Sequence, residues 1–358
     1  MAKAPPPLTE LEPRRVCIIK PSSLGDVVHS LPILPALRAR WPGAHLAWVV
    51  RSVFRQVLEG CHDLDDVIVF DAKKTTFDPL GAAGFVGLLP RLKRGRYELA
   101  IDLQGLLRSG LMTAATGASV RVGLADAREG ARWFYTHRVD APRDSLHAVE
   151  RIKRVAAALG AAIDEPRFDP SIGDADRVWA REILAPLARP RLVLNLGARW
   201  LTKRWPPEHF AEIGRRAVEH HGASLIAVGV REDQPLVDQL TRLLDRVPLL
   251  DLCGRTSLNQ LAALAQTADL VLSNDTGPLH LAAAAGARVV GVYTCTSPAL
   301  TGPWGVRAAT VESKVWCAPS FIKTCDRLEC MAELTPDRVW PTVDRGLASA
   351  RTSPSLAE

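Results

Sequence analysis

Short β-rich runs alternating with helical stretches, twice over along one chain, constrain this sequence more than any other feature. The first series is Arg15-Val-Cys-Ile-Ile-Lys20, His45-Leu-Ala-Trp-Val-Val50, Asp66-Val-Ile-Val-Phe70 and Leu99-Ala-Ile-Asp-Leu103. A helical pattern from Asp26 to about Arg40 follows the first run, and Trp41-Pro-Gly closes it with a turn signal. A further helix is expected between the second and third runs. From Leu159 to Asp176 the rhythm dissolves into Ala, Gly, Asp and Pro, then restarts with Arg191–Leu196, Ser224–Val228, Leu270–Ser273 and Arg288–Tyr293. Pro207–His220 and Ser257–Thr267 read as helices between them. Strands that alternate with helices need crossover connections, hence a mostly parallel sheet covered on both faces. The expectation is an α/β chain of two Rossmann-like domains, residues 1–168 and 169–335. A helix from Pro336 to Ala350 and a flexible tail complete residues 336–358. Open sheets of this kind take ligands at the carboxyl ends of their strands, so a cleft between the domains is the expected site.

A length of 358 residues suits two such cores, and 47% hydrophobic with 23% charged residues is a globular composition. No apolar run is long enough to span a bilayer, and Met1–Glu12 lacks the apolar middle of a signal peptide. The expected location is the cytoplasm. Seven cysteines scattered along the chain do not suggest a disulfide framework. The net charge of +6 suits an anionic substrate, a nucleic acid or an acidic membrane surface. Against nucleic acid, no run interleaves basic residues with aromatics, as a stacking platform would.

Three loops that follow strands carry the chemistry. In Lys20-Pro-Ser-Ser-Leu-Gly-Asp26, a strand, a glycine loop and a helix start present backbone donors to an anion or a sugar hydroxyl. It is neither the dinucleotide-binding glycine pattern nor a Walker loop. Asp26 fits a general base, ionised at a helix start. Ser23-x-x-Asp26 equally fits a capping box, and both readings stay open. In Gly197-Ala-Arg-Trp-Leu-Thr-Lys-Arg-Trp-Pro206, Lys203 and Arg204 suit a departing diphosphate, or form a solvated pair before a helix. In Ser273-Asn-Asp-Thr-Gly-Pro-Leu-His280, free N–H groups at the start of an Ala-rich helix, His280 to Gly286, suit a pyrophosphate. The bland alternative is a well-capped buried helix.

Asp63-Leu-Asp65-Asp66 and Asp174-Ala-Asp176 each spell Asp-x-Asp, a metal-ligating pattern in some sugar transferases. Neither ends a strand, so both are read as solvated turn carboxylates, and neither metal nor other cofactor is expected. Cys317, Cys325 and Cys330 lack the paired spacing of a zinc ribbon.

In this order, the loops resemble those of the ADP-heptose:lipopolysaccharide heptosyltransferases of glycosyltransferase family 9. Further family-like stretches are Asp102-Leu-Gln-Gly105-Leu-Leu-Arg-Ser109, Ala127-Arg-Glu129 and Trp133-Phe-Tyr135. The resemblance runs from about Val16 to Trp340. It implies a GT-B architecture, with the acceptor on the N-terminal domain and the sugar nucleotide on the C-terminal one, and metal-independent inverting transfer. Asp26 would be the base and Lys203 would meet the diphosphate. Asp275, Thr276, Gly277 and His280 would hold the donor, with Thr256 and Glu232 or Asp233 near its adenosine. Ser23, Gly25, Gln104, Lys73, Lys74, Arg108 and Arg128 would meet an anionic, lipid-linked inner-core glycan at the inner membrane. Arg199 and Trp200 replace small hydroxyl residues of some heptosyltransferases and can reshape the donor pocket. Alternatives are another nucleotide sugar or glycan acceptor, a nucleotide-sugar epimerase, or a non-catalytic nucleotide-sugar-binding protein.

Overall fold

The computed structural model describes residues 7–71, 79–305 and 307–352. The chain divides into two units, Met1–Ser171 and Ile172–Glu358. The first holds strands β1 (Arg15–Ile19), β2 (His45–Arg51), β3 (Asp66–Phe70), β4 (Leu99–Asp102), β5 (Val120–Leu124) and β6 (His137–Val139). The second holds β7 (Arg191–Asn195), β8 (Ser224–Val228), β9 (Leu249–Asp251), β10 (Leu270–Asn274), β11 (Val289–Tyr293) and β12 (Ala308–Glu312). The sheet orders are β3-β2-β1-β4-β5-β6 and β9-β8-β7-β10-β11-β12, so the second repeats the first strand for strand. Every pairing is parallel. This is the doubly wound Rossmann order, which turns back between its first and fourth strands. The turn falls between β1 and β4 in one unit and between β7 and β10 in the other.

Both faces of each sheet are covered, because successive side chains on a strand point opposite ways. In the second unit Leu192, Leu194, Leu270 and Leu272 join Phe210, Ile213 and Leu240 in one buried layer. Their neighbours Val193 and Val271 join Leu264, Leu279 and Ala282 on the other side. The closing helix Pro336–Thr352 packs into the first of these layers through Val339, Val343 and Leu347. In the first unit Cys17, Ile19, Ala47, Val49 and Ala100 share a layer with Leu88, Leu92 and Met112.

Several local expectations change. The helix expected from Asp26 to Arg40 is two helices, Leu24–Ser30 and Ile33–Arg40. Pro32 at the join has no N–H to offer, and the chain bridges it with short bonds, Leu31 N to Val28 O (3.1 Å) and Leu34 N to Leu31 O (3.0 Å). Between β2 and β3 a 3-10 helix, Ser52–Val57, replaces the expected α-helix. The Ala-rich helix of the second unit starts earlier, at Gly277, with Pro278 in its first turn, and ends at Ala284. Strands β5, β6, β9 and β12 had no expectation. The last helix extends to Thr352, so Arg351 and Thr352 are helical and do not belong to a tail; residues 353–358 lie outside the described residues.

Candidate active site

In the first unit, the carboxyl ends of β1 and β4 lie side by side, Ile19 in register with Asp102. The chain leaves β1 through Lys20, whose ammonium is buried, 3.0 Å from the Leu103 carbonyl and 3.7 Å from Asp26 Oδ1. The other oxygen, Asp26 Oδ2, accepts from Ser23 N (3.0 Å) and Ser23 Oγ (2.6 Å), which is the capping arrangement. The capped carboxylate still faces outward, with 49% of its side chain exposed. Cap and base are compatible here because they use different faces of one group. The protein packed around Asp26 pushes its carboxyl upward. The Lys20 ammonium, the two Ser23 hydrogen bonds and His29 outweigh that and hold it down at about 2. The group is therefore ionised throughout the neutral range. We expect kcat/KM to show no acid limb from Asp26 between about pH 5 and pH 8. In Lys20→Met such a limb should move up toward the ordinary carboxylate value; an unshifted pH–rate profile would remove Lys20 from this role.

Beneath this loop, Asp102 is fully buried at the end of β4. Its Oδ1 accepts from Gln104 N (2.8 Å) and Gly105 N (3.1 Å), and its Oδ2 from Tyr135 Oη (2.7 Å). Burial pushes this carboxyl up, with Tyr135 and the loop N–H groups opposing. Gly123 on β5 makes room for the phenol, since a Cβ there would lie 2.2 Å from the Tyr135 ring. The loop so fixed presents Gln104 Oε1 to Ser22 N (3.3 Å) and Gly105 O to Arg128 N (2.8 Å). Gly105 has φ +71°, the left-handed region. Ser23, Gly25, Asp26 and Gln104 are thus gathered at one switch point. The side chains of Arg108 and Arg128 are exposed nearby, and Lys73 and Lys74 lie outside the described residues.

In the second unit, Asn195 at the end of β7 is in register with Ser273 on β10. The Asn195 amide donates to Ser273 Oγ (2.8 Å) and Thr276 Oγ1 (3.1 Å), tying the two strand ends together. Asp275, 3% exposed, is the hub. Its Oδ2 receives Lys203 Nζ (2.5 Å) and Thr296 Oγ1 (2.5 Å), and His280 Nε2 lies 3.4 Å from its Oδ1. Burial pushes the Asp275 carboxyl up, but the His280 hydrogen bond and the Lys203 ammonium more than reverse it and hold it well below the usual carboxylate range. Lys203 closes the 3-10 helix Leu201–Lys203, and its ammonium also sits 4.6 Å from the centroid of the Trp200 ring. Thr276 stands at the N-cap of helix Gly277–Ala284; Pro278 has no N–H and Leu279 N returns to the Thr276 carbonyl (3.1 Å), which leaves Gly277 N as the first-turn donor without a partner in the helix. A fixed cation beside a helix N-terminus at a switch point is an arrangement that can take an anion.

Lys203 and Arg204 bond different partners. Arg204 Nε donates to the Ala198 carbonyl (2.7 Å), which turns the guanidinium back on its own loop. Arg199 is exposed on the same loop. Glu232 and Thr256 follow β8 and β9, on the side of the sheet away from β10, and neither bonds to the Lys203–Asp275 cluster. Glu232 is exposed and Thr256 half-buried. Their neighbour Asp233 is buried over Gly197, where a Cβ would lie 2.0 Å from its Oδ2. Only glycine fits at that turn.

Sequence reasoning missed Lys20, Asp102, Tyr135 and Thr296. Asp102 and Tyr135 lay inside stretches already singled out as family-like; Thr296 had no signal beyond following a strand. The Asp-x-Asp stretches are corrected in part. Asp65 is exposed, as expected, but it also accepts from Leu46 N (2.7 Å) and pairs with Arg38 (2.7 Å), so it is held in place. Asp174 and Asp176 open helix Asp174–Leu184 and favour its dipole. Among the described residues no group of three or more His, Cys, Asp or Glu is placed to hold a metal ion. All seven cysteines are free.

Twin Rossmann units with charged loops at both switch points define a nucleotide-binding α/β class. Residues 86–331 match the model of glycosyltransferase family 9 (heptosyltransferase), and the chain belongs to that family and is a glycosyltransferase. It is 29% identical over 359 residues to lipopolysaccharide heptosyltransferase 1 of Pseudomonas aeruginosa, covering 94% of this chain and 99% of that one. It superimposes on the Escherichia coli heptosyltransferase WaaC solved with ADP, at a TM-score of 0.73 and 26% identity over 93% of this chain and 99% of that one. WaaC solved with ADP-2-deoxy-2-fluoro heptose gives a TM-score of 0.72 at 25% identity, over 92% and 99%. The architecture is that of the GT-B heptosyltransferases.

Proposed function

We propose that this chain transfers heptose from ADP-heptose to an anionic, lipid-linked lipopolysaccharide inner-core acceptor at the cytoplasmic face of a membrane, by metal-independent inverting displacement. The observation that carries the proposal is the division of labour between the two switch points. One offers an ionised, outward-facing carboxylate, the other a half-buried cation beside a helix N-terminus. In the reaction an acceptor hydroxyl loses its proton to Asp26 as its oxygen bonds the anomeric carbon of the heptose. The bond from that carbon to the β-phosphate oxygen breaks, and ADP leaves with its new charge met by Lys203 and by Gly277 N at the start of helix Gly277–Ala284. Lys203 would supply positive charge where a divalent ion would otherwise stand. Thr276, Gly277 and His280 would hold the donor's sugar and phosphates, and the turns bearing Glu232 and Thr256 its adenosine. Support for the donor comes from the relatives, one solved with ADP and again with a fluorinated ADP-heptose. No helix among the described residues is long and apolar enough to cross a membrane.

The test is product analysis on the purified chain. ADP should appear from ADP-heptose only when a glycolipid acceptor is present, at a rate unchanged by excess EDTA. Loss of turnover in EDTA that added Mg²⁺ restores would overturn the metal-free mechanism. Faster turnover of another nucleotide sugar would move the donor assignment, with Arg199 and Trp200 as the residues to examine.

A further inference from the structure

Beside the acceptor loops of the first unit lies a surface whose apolar side chains and Arg132 the proposed chemistry leaves unused. Helix Leu107–Ala115 packs directly on the 3-10 helix Ala131–Phe134, and a Cβ on Gly110 would lie 2.6 Å from the Phe134 ring and 3.1 Å from Ala131 Cα. Leu107 and Leu111, one helical turn apart, share a face and are 44% and 37% exposed. Leu107 N donates to Glu129 Oε2 (3.3 Å), and the adjacent Gly130 lies under the Trp133 ring, where its Cβ would come within 3.2 Å. Trp133 itself is 76% exposed. One small surface therefore gathers an indole and two leucines in water. Arg108, Arg128 and Arg132 are exposed among them, and none of the three guanidiniums is ion-paired among the described residues.

A protein partner would favour an apolar centre depleted of charge. Here arginines and apolar groups alternate over the same few residues, which is the chemistry of a headgroup layer. Indole settles at headgroup depth, aliphatic side chains reach the acyl boundary, and guanidinium groups bind phosphate. We propose that this face docks on an anionic lipid bilayer and seats the first unit on the membrane that carries the acceptor's lipid. The proposal rests on the lipid-linked acceptor of the preceding reading, but its binding test needs neither acceptor nor donor.

Flotation of the full chain with vesicles of phosphatidylethanolamine and phosphatidylglycerol, against phosphatidylcholine alone, is the experiment. The chain should partition onto the anionic vesicles, and less so as salt rises. Trp133→Ser, and Leu107→Ser with Leu111→Ser, should each weaken partition by about tenfold. Arg132→Gln should weaken it less. All should melt like the parent, because exposed side chains contribute little to stability. Trp133→Ser should turn over a deacylated, water-soluble acceptor normally and a vesicle-embedded one poorly. Failure of the parent chain to bind anionic vesicles, or full binding by Trp133→Ser, overturns the proposal. A dimer that Trp133→Ser dissociates while vesicle binding persists would assign the face to a second copy instead. Trp133-dependent flotation by a chain inactive on ADP-heptose would uphold the surface and reject the donor reading.

Discussion

Asp26→Asn should lower kcat by about 10²–10⁴-fold while leaving the affinity for ADP nearly unchanged and lowering the melting temperature only modestly, since the buried Lys20 ammonium loses its carboxylate. The amide oxygen can still accept from Ser23 N, so the start of helix Leu24–Ser30 keeps its cap. What disappears is the negative charge that faces outward and, on the proposed mechanism, would take the proton. Asp26→Ala removes the cap as well, and should add a stability loss of about 1 kcal/mol to a similar loss of rate. Steady-state kinetics with a saturating acceptor, calorimetric titration with ADP and thermal unfolding separate these effects. Turnover of Asp26→Asn within tenfold of the parent would leave the cap as the residue's whole purpose.

The second large effect concerns the pair Lys203 and Asp275. Lys203→Ala should reduce turnover by about 10³-fold, the scale on which removing one preorganised group at a developing charge acts. Asp275→Ala should do comparable damage and also destabilise the chain by about 3–5 kcal/mol. It leaves a nearly buried ammonium, the His280 ring and the Thr296 hydroxyl without their shared acceptor. The double variant should recover part of that stability, because the orphaned cation is gone, and none of the activity. The pH dependence follows from the same pairing. The folded Asp275 carboxyl is held below its unfolded value of about 3.9. Its stabilisation is therefore complete at neutral pH and is lost as pH falls from that value toward the folded one. Urea unfolding across this range should show a larger loss in the parent than in Asp275→Ala, which keeps the share of other depressed carboxylates such as Asp26. Equal stability of the two at neutral pH would mean that the pair is open in solution.

Most central strands were legible because they are buried on both faces and therefore read as nearly unbroken apolar runs, such as Leu270-Val-Leu. The interior strand β5 was missed, because Arg121 and Gly123 break its apolar run. The short edge strands β6, β9 and β12 bury less and carry mixed residues, so their pattern fades into the loops. Among site residues, those on strand-to-helix turns were legible because glycine, proline and cap residues mark such turns. Asp26, Asp275 and Gly277 stand there. Their partners were not. Thr296 reaches Asp275 across 21 residues, and only the pairing of β10 with β11 brings their strand ends together. Lys203 and Arg204 show the complementary limit. They are adjacent in sequence, yet the first closes on Asp275 and the second folds onto Ala198, a choice made by tertiary contacts.

The ion pair between Lys203 and Asp275 bears also on how the enzyme resets. An empty site that kept a bare ammonium would collect counterions from solution and shed them at every cycle. Here the cation waits against an internal carboxylate. On the proposed mechanism an arriving diphosphate would exchange with Asp275 for its hold on the ammonium. As ADP departed the carboxylate would take the cation back, and the contact that stores the charge between turnovers would help to evict the product.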